Sequence, residues 1–327
     1  MKKIERLIKE ISADICYCYN CQPYEGGEPF WILGERTDLE ELFDDYDVPE
    51  DKRNEIADAM KCPWCGTHFQ RGIEVGIKTK SRRELEKKLT VWRNRYANDF
   101  EDFAAFLEKF PYLGIKHTIG KKIITNLSTF PKKDIKDDKW FRARTIVGSK
   151  RLSCADFKAP DQEVVKIPEG RFNHYGQSHW YLASTEYGAA YEAASYNDDI
   201  LWVQCVNIRY AVDILDLRVS DYETDLGLPV LATGIIFSSI IRRDVIHDRN
   251  WKPEYFVPRF IADCAKLHSF QGILFDNDKF HGANLVLFHP DRVDYEFIEN
   301  PRFLEIPRVG TDQTKNEEAD PNADPIF

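Results

Sequence analysis

Four cysteines in two pairs constrain this chain more than any other feature. Cys18 and Cys21, then Cys62 and Cys65, each place two thiols three residues apart, with 40 residues between the pairs. Two such pairs can supply a tetrahedral set of four thiolates for zinc. Gly66, directly after the second pair, suits the tight knuckle turn. Cys16 is an alternative to Cys18, and His68 a substitute ligand close by. Four thiolates leave no open coordination position, so the metal reads as structural rather than catalytic. Cys62-Pro63-Trp64-Cys65 also has the form of a redox pair, but that would need a strand-helix-strand setting that the flanking sequence lacks.

A chain of 327 residues allows two domains. It has no run of 18 apolar residues, and Met1-Lys2-Lys3-Ile4-Glu5-Arg6 has no apolar signal core. The expectation is therefore a cytoplasmic protein without a membrane partner, in a compartment where thiols stay reduced and metal is favoured over disulfides. The net charge of −10 argues against a nucleic-acid binder. Residues 131–171 run against that balance, with 11 Lys and Arg to 7 Asp and Glu. That local excess suits an anionic ligand, a solvated basic loop being the plain alternative.

Along the chain, Ile4, Leu7, Ile8 and Ile11 mark one face of a short first helix, and the acidic stretch from Asp38 to Met60 reads as helical. Residues 80–110 form the clearest helix. Ser81 and Glu84 make a capping box, Leu85, Leu89, Trp92, Tyr96, Phe100, Phe103 and Leu107 recur at helical steps, and Pro111 ends it. Such an aromatic stripe reads as packing. Residues 111–139, with glycines, prolines and a Lys/Asp-rich run, read as a hinge, which puts a domain boundary near Phe130. The domains expected are thus 1–130, 131–304 and an acidic, disordered tail at 305–327 with 6 acidic residues to 2 basic. Leu201–Ile208 and Ala211–Leu217 read as two neighbouring strands, Val230–Ile241 as helix or buried strand, and Glu254–Leu267 as a helix. Gly272–Phe275, Asn284–Phe288 and Tyr295–Ile298 would close the sheet.

The second chemistry-bearing stretch is Gly170 to Glu192, read as turn, strand and helix. Gly170-Arg171-Phe172-Asn173 and Gly176 suit a tight turn, His179-Trp180-Tyr181-Leu182 a short buried strand. Ser184 or Thr185 can cap a small-residue helix on which Glu192 lies one turn from Gly188 and Ala189, leaving its carboxylate little shielded. Taken singly, an Arg, Tyr or Glu is most often a solvated surface group.

Together, Gly170-Arg171-Phe172-Asn173, Gly176, Tyr181 and Glu192 resemble the motif of the RES domain, a family named for its Arg, Glu and Ser. Further likenesses are Phe141-Arg142-Ala143-Arg144 as the opening strand, Tyr255-x-Val257-Pro258 with Ile261-Ala262-Asp263, Gly272-Ile273, and Asn284-Leu285-Val286-Leu287-Phe288, so that the resemblance covers about residues 140 to 300. One element departs from the pattern. Where the family's Ser is expected, the chain reads Leu274-Phe275-Asp276-Asn277, so Asn277 or Asp276 replaces a hydroxyl.

The resemblance implies an α+β domain with an ADP-ribosyltransferase-like mixed sheet, here preceded by a small four-cysteine zinc-ribbon and helical domain. It implies a toxin-like enzyme that consumes NAD by hydrolysis or phosphorolysis and is restrained by an antitoxin or another regulatory protein. Transfer of ADP-ribose to a macromolecule is the second enzymatic alternative, and a binding module without turnover the third, motivated by Asn277. Glu192 would stabilise the positive charge that builds on the ribose, Arg171 would bind the pyrophosphate, and Tyr181 would position the nucleoside. Arg142, Arg144, Asn173 and Asn277 are the further NAD-binding candidates. No GxGxxG loop is visible, so NAD is expected as substrate rather than as a Rossmann-bound cofactor.

Overall fold

The structure, a computed structural model, describes residues 2–21, 24–25, 28–29, 35–146, 151–163, 165–194, 200–219, 227–241, 251–276 and 282–304. Asn277 and the acidic segment 305–327 lie outside the described residues. The chain divides into two compact units, Met1–Lys87 with Glu223–Leu226, and Lys88–Tyr222 with Gly227–Phe327.

In the first unit, α1 (Lys2–Asp14) leads into β1 (Ile15–Cys18), and β2 (Tyr24–Glu25) pairs with β3 (Glu28–Pro29). There follow β4 (Glu35–Asp38), α2 (Leu39–Asp45), α3 (Arg53–Ala59) and β5 (Glu74–Ile77). The strands β1, β5 and β4 form an antiparallel sheet in that order. The Asp38 carboxylate caps α2 by accepting from the Glu40 amide at 2.7 Å, satisfying a donor that a helix start leaves free. Ile11, Ile15, Leu39, Leu42, Phe43, Ile56 and Phe69 are buried together. The acidic residues of α2 and α3 line the outer face, where Arg53 pairs with Glu40 and Asp44.

The second unit takes most of α4 (Lys80–Lys109), then α5 (Thr118–Asn126), β6 (Lys132–Ile146), β7 (Trp180–Ala183), α6 (Glu186–Ala193) and β8 (Ile200–Asp216). After these come α7 (Val230–Phe237), α8 (Phe256–Leu267), β9 (Gly272–Asp276), β10 (Ala283–Leu287), β11 (Asp294–Phe297) and β12 (Arg302–Leu304). Phe103 of α4 packs edge-on to Phe260 of α8, their centroids 5.2 Å apart. The aromatic stripe of α4 is thus core material here, and Phe130, where the sequence places a boundary, lies inside this unit.

Two readings of this unit are corrected. Residues 111–139 are not a hinge, because α5 and the start of β6 occupy them, and the Lys/Asp-rich run is strand, anchored by buried Ile135 while its charged neighbours face out. The two strands read at 201–208 and 211–217 are one strand, β8. It stays paired to β6 from Ile200 to Leu215 across an irregularity near Lys133 and Ile135. Asp137 (φ 48°) and Asp213 (φ 50°) take left-handed conformations that bend these long strands.

The sheet runs β11-β8-β6-β7-β10-β9, with β12 also on β8. Since β9 pairs antiparallel with β10 and parallel with β8, the strands β8, β6, β7, β10 and β9 close into a ring. Trp140, Trp180, Leu182, Val206, Leu274, Leu285 and Leu287 pack together on one face. Ala190 of α6 packs on the other, beside Phe141, Ala143 and Val203. The architecture is mixed α+β. No helix among the described residues is long and apolar enough to cross a membrane.

Candidate functional site

The cysteine cluster assembles in the first unit from two local turns. The sulfurs of Cys18, Cys21, Cys62 and Cys65 all lie within 4.8 Å of one another. Cys18 and Cys21 are 3.6 Å apart, and the cross-pairs Cys18–Cys65 and Cys21–Cys62 are each 3.5 Å. A tetrahedral zinc with Zn–S near 2.3 Å would space its sulfurs at about 3.8 Å, so the donor set fits that ion. The Gly66 amide reaches back to the Cys62 carbonyl at 2.9 Å with φ at 72°, as a knuckle turn requires. Hydrogen bonds with Thr67 pull the Cys65 thiol down to about 6, while burial raises Cys18 and Cys21. Of the alternatives, Cys16 and His68 are outside the cluster, and His68 faces the Asp58 carbonyl instead.

In the second unit, the turn before β7 is knitted around Asn173. Its side-chain amide donates to the carbonyls of Pro168 and His174, both at 3.0 Å, and its Oδ1 accepts from the Tyr181 hydroxyl at 2.8 Å. That hydroxyl also accepts from the Phe172 amide at 3.2 Å. Burial raises the Tyr181 phenol well above its ordinary value, so it stays a donor. Both polar groups are committed to shaping the turn. A Cβ at Gly170 would collide with Asn173 Oδ1 and the Tyr181 hydroxyl, which explains the glycine. Arg171 leaves this turn with Nη1 on the Ile241 carbonyl at 2.8 Å.

Glu192 is exposed on α6, whose start Thr185 caps by accepting from the Gly188 amide at 3.0 Å. Its Oε1 accepts from Asn284 Nδ2 at 3.2 Å, and Asn284 is buried on β10. The register pairs Asn284 with Ala183 and Val286 with Tyr181, so Tyr181 and Asn284 share a sheet face. Tyr255, just before α8, completes the group. Burial raises its phenol, Arg171 opposes that rise and Glu192 adds to it, so both charges act on this ring.

Tyr181 and Glu192 are thus linked through Asn284 on one sheet face, and Arg171 acts electrostatically on Tyr181 and Tyr255; Asn284 and Tyr255 are residues that the sequence pattern contained but gave no role. A polar Asn opening an otherwise apolar strand was the available signal. Arg142 and Arg144 do not join them. They alternate with Phe141 and Ala143 along β6 and share the Trp140 face, opposite Tyr181 and Asn284. Arg142 Nη1 and Arg144 Nε are buried without a hydrogen-bond partner among the described residues. Burial, then the neighbouring Arg144, lowers Arg142 to about 9. Asp276, the alternative to Asn277 at the expected Ser position, accepts from the Val219 amide at 2.7 Å.

A family model described as RES domain matches residues 139–304. No curated protein matches the chain. Among solved structures, the crystal structure of the M. tuberculosis MbcT–MbcA toxin–antitoxin complex is similar at 13% identity and a TM-score of 0.33, over 56% of this chain and 91% of that one.

Proposed function

The chain belongs to the RES domain family, whose match spans 166 of its 327 residues, and on that premise we propose that it cleaves the nicotinamide–ribose bond of NAD, by hydrolysis or phosphorolysis. The observation that carries this reading is Glu192, held by buried Asn284 over the Tyr181 face of the sheet, with Tyr255 under the influence of both Glu192 and Arg171.

Departure of nicotinamide leaves positive charge on the ribose, and a fixed carboxylate stabilises that charge more in the transition state than in the ground state. The Asn284 amide keeps one Glu192 oxygen oriented. Arg171 supplies a guanidinium for the pyrophosphate, whereas Arg142 and Arg144, on the opposite sheet face, do not reach the same phosphates. Tyr181, its hydroxyl tied back to the turn, presents a rigid ring to the nucleoside. In the first unit, Cys18, Cys21, Cys62 and Cys65 would hold a structural zinc that contributes to folding rather than chemistry. A restraining antitoxin is part of the same reading, because unrestrained loss of NAD would harm the cell that makes the protein.

The test is NAD depletion by the purified chain, with and without phosphate, beside Glu192→Gln. Turnover should fall at least ~100-fold, about 2.7 kcal/mol of transition-state stabilisation, with an unchanged circular dichroism spectrum. Equal turnover by the two proteins would overturn the reading. ADP-ribose or its phosphorylated form as product would distinguish water from phosphate as acceptor, and label retained on protein would indicate transfer.

A further inference from the structure

Arg259 lies on α8 in a run of apolar residues, Phe256-Val257-Pro258-Arg259-Phe260-Ile261-Ala262, and is 3% exposed. Its Nε donates to the Gly170 carbonyl at 2.9 Å, and its Nη1 pairs with Glu169 at 2.8 Å. These two acceptors immediately precede Arg171. The same guanidinium lies 5.2 Å from the ring centroid of Tyr255 and 5.8 Å from that of Phe256, in cation–π range. Nη2 is buried and has no hydrogen-bond partner among the described residues.

A link between α8 and a loop does not need this group. An apolar side chain of similar volume would fill the space without burying a charge, and it would leave no N–H unmatched. What the guanidinium does that an apolar residue could not is hold two things at once. Its fork grips the backbone from which Arg171 departs, and its face supports the ring that lies within the influence of Arg171 and Glu192. Gly170 itself is packed closely enough that a Cβ there would meet Asn173 Oδ1 and the Tyr181 hydroxyl. The Arg259 charge is moreover felt by the phenols of both Tyr181 and Tyr255, opposing their rise, so its field reaches both aromatic walls of the site. Glu169, the partner, is 34% exposed, so water screens part of its compensating charge.

We propose that Arg259 is the positioning residue of this site, fixing the reach of Arg171 and the placement of Tyr255 through one buried guanidinium, and so setting the affinity for the pyrophosphate of the substrate. This rests on the NAD reading above. Arg171 would hold pyrophosphate in ground and transition states alike, so the loss of its positioning falls on binding rather than on the chemical step.

The experiment compares wild-type protein with Arg259→Gln and Arg259→Lys, measuring kcat and KM for NAD, the Kd for ADP-ribose, and the thermal midpoint. Arg259→Gln should raise KM and the ADP-ribose Kd about tenfold while kcat stays within about threefold. Arg259→Lys keeps the charge but loses the planar fork, and should raise KM about threefold. Should Arg259→Gln fail to fold, the lysine variant carries the test. A lower thermal midpoint with wild-type KM and Kd in the folded variants would make Arg259 a structural link only and overturn the proposal while leaving NAD cleavage standing. A wild-type protein that neither turns over NAD nor binds ADP-ribose would overturn both.

Discussion

The cysteine cluster and the Glu192 site are built in opposite ways. In the first, four sulfurs come from two short turns and meet within 4.8 Å, a closed set of four donors. In the second, Arg171, Tyr181, Glu192, Tyr255 and Asn284 come from a turn, two strands, a helix and the start of another helix. Buried nitrogens of Arg142, Arg144, His179 and Arg259 have no hydrogen-bond partner among the described residues of that unit. A centre whose donors satisfy one another around an ion serves stability. A unit that leaves buried polar groups unmatched gives up some stability.

The comparison breaks most readily at the cysteines. Cys62→Ser should remove zinc and unfold the first unit, because a structural zinc site contributes on the order of 10 kcal/mol to small modules. Metal analysis of protein purified without added metal should give about one zinc per wild-type chain and less than a tenth of that in the variant. A folded, metal-free first unit would show that its apolar core around Phe43 and Ile56 suffices alone.

The same contrast explains what could be read from the sequence. Cys18, Cys21, Cys62, Cys65 and Gly66 were legible because their geometry is local, and so were α4 and the turn, strand and helix from Gly170 to Glu192. The pairing of Glu192 with Asn284 spans 92 positions and that of Arg259 with Gly170 spans 89, and only the sheet register and the packing of α8 bring them together. Arg259 did leave a trace, as the one charge in the apolar opening of α8. Residues 111–139 read as a hinge because their composition is polar, whereas pairing with β8, which composition does not show, makes residues 132–139 strand.

A second break point is His179, buried at 6% exposure, its ring 5.1 Å from that of Phe288 and its Nδ1 without a hydrogen-bond partner among the described residues. Burial, then the nearby Lys266, lowers it to about 3, against about 6.5 in the unfolded chain. Below pH 6.5 the unfolded state takes up a proton that the folded state refuses. Stability is therefore full above about pH 6.5 and falls toward pH 3, by up to ~1.4 kcal/mol per pH unit. Denaturant titrations of the chain and of His179→Phe should diverge between about pH 6.5 and pH 5, before most carboxylates titrate. Parallel curves would mean that water or a polar group reaches the ring.

The smallest effect is the one that most sharpens the contrast. Arg142 is held next to Arg144 in surroundings that lower it to about 9, with no hydrogen bond to Nη1 among the described residues. Removing an unmatched buried charge on the face opposite the site should help the fold without touching binding. Arg142→Met should raise stability by about 1 kcal/mol, or roughly 2–4 °C in the thermal midpoint of a unit this size, and should leave ADP-ribose binding on the opposite sheet face unchanged. The opposite pair of results, a lower midpoint with weakened binding, would make Arg142 part of the scaffold that shapes the Arg171 face through the sheet.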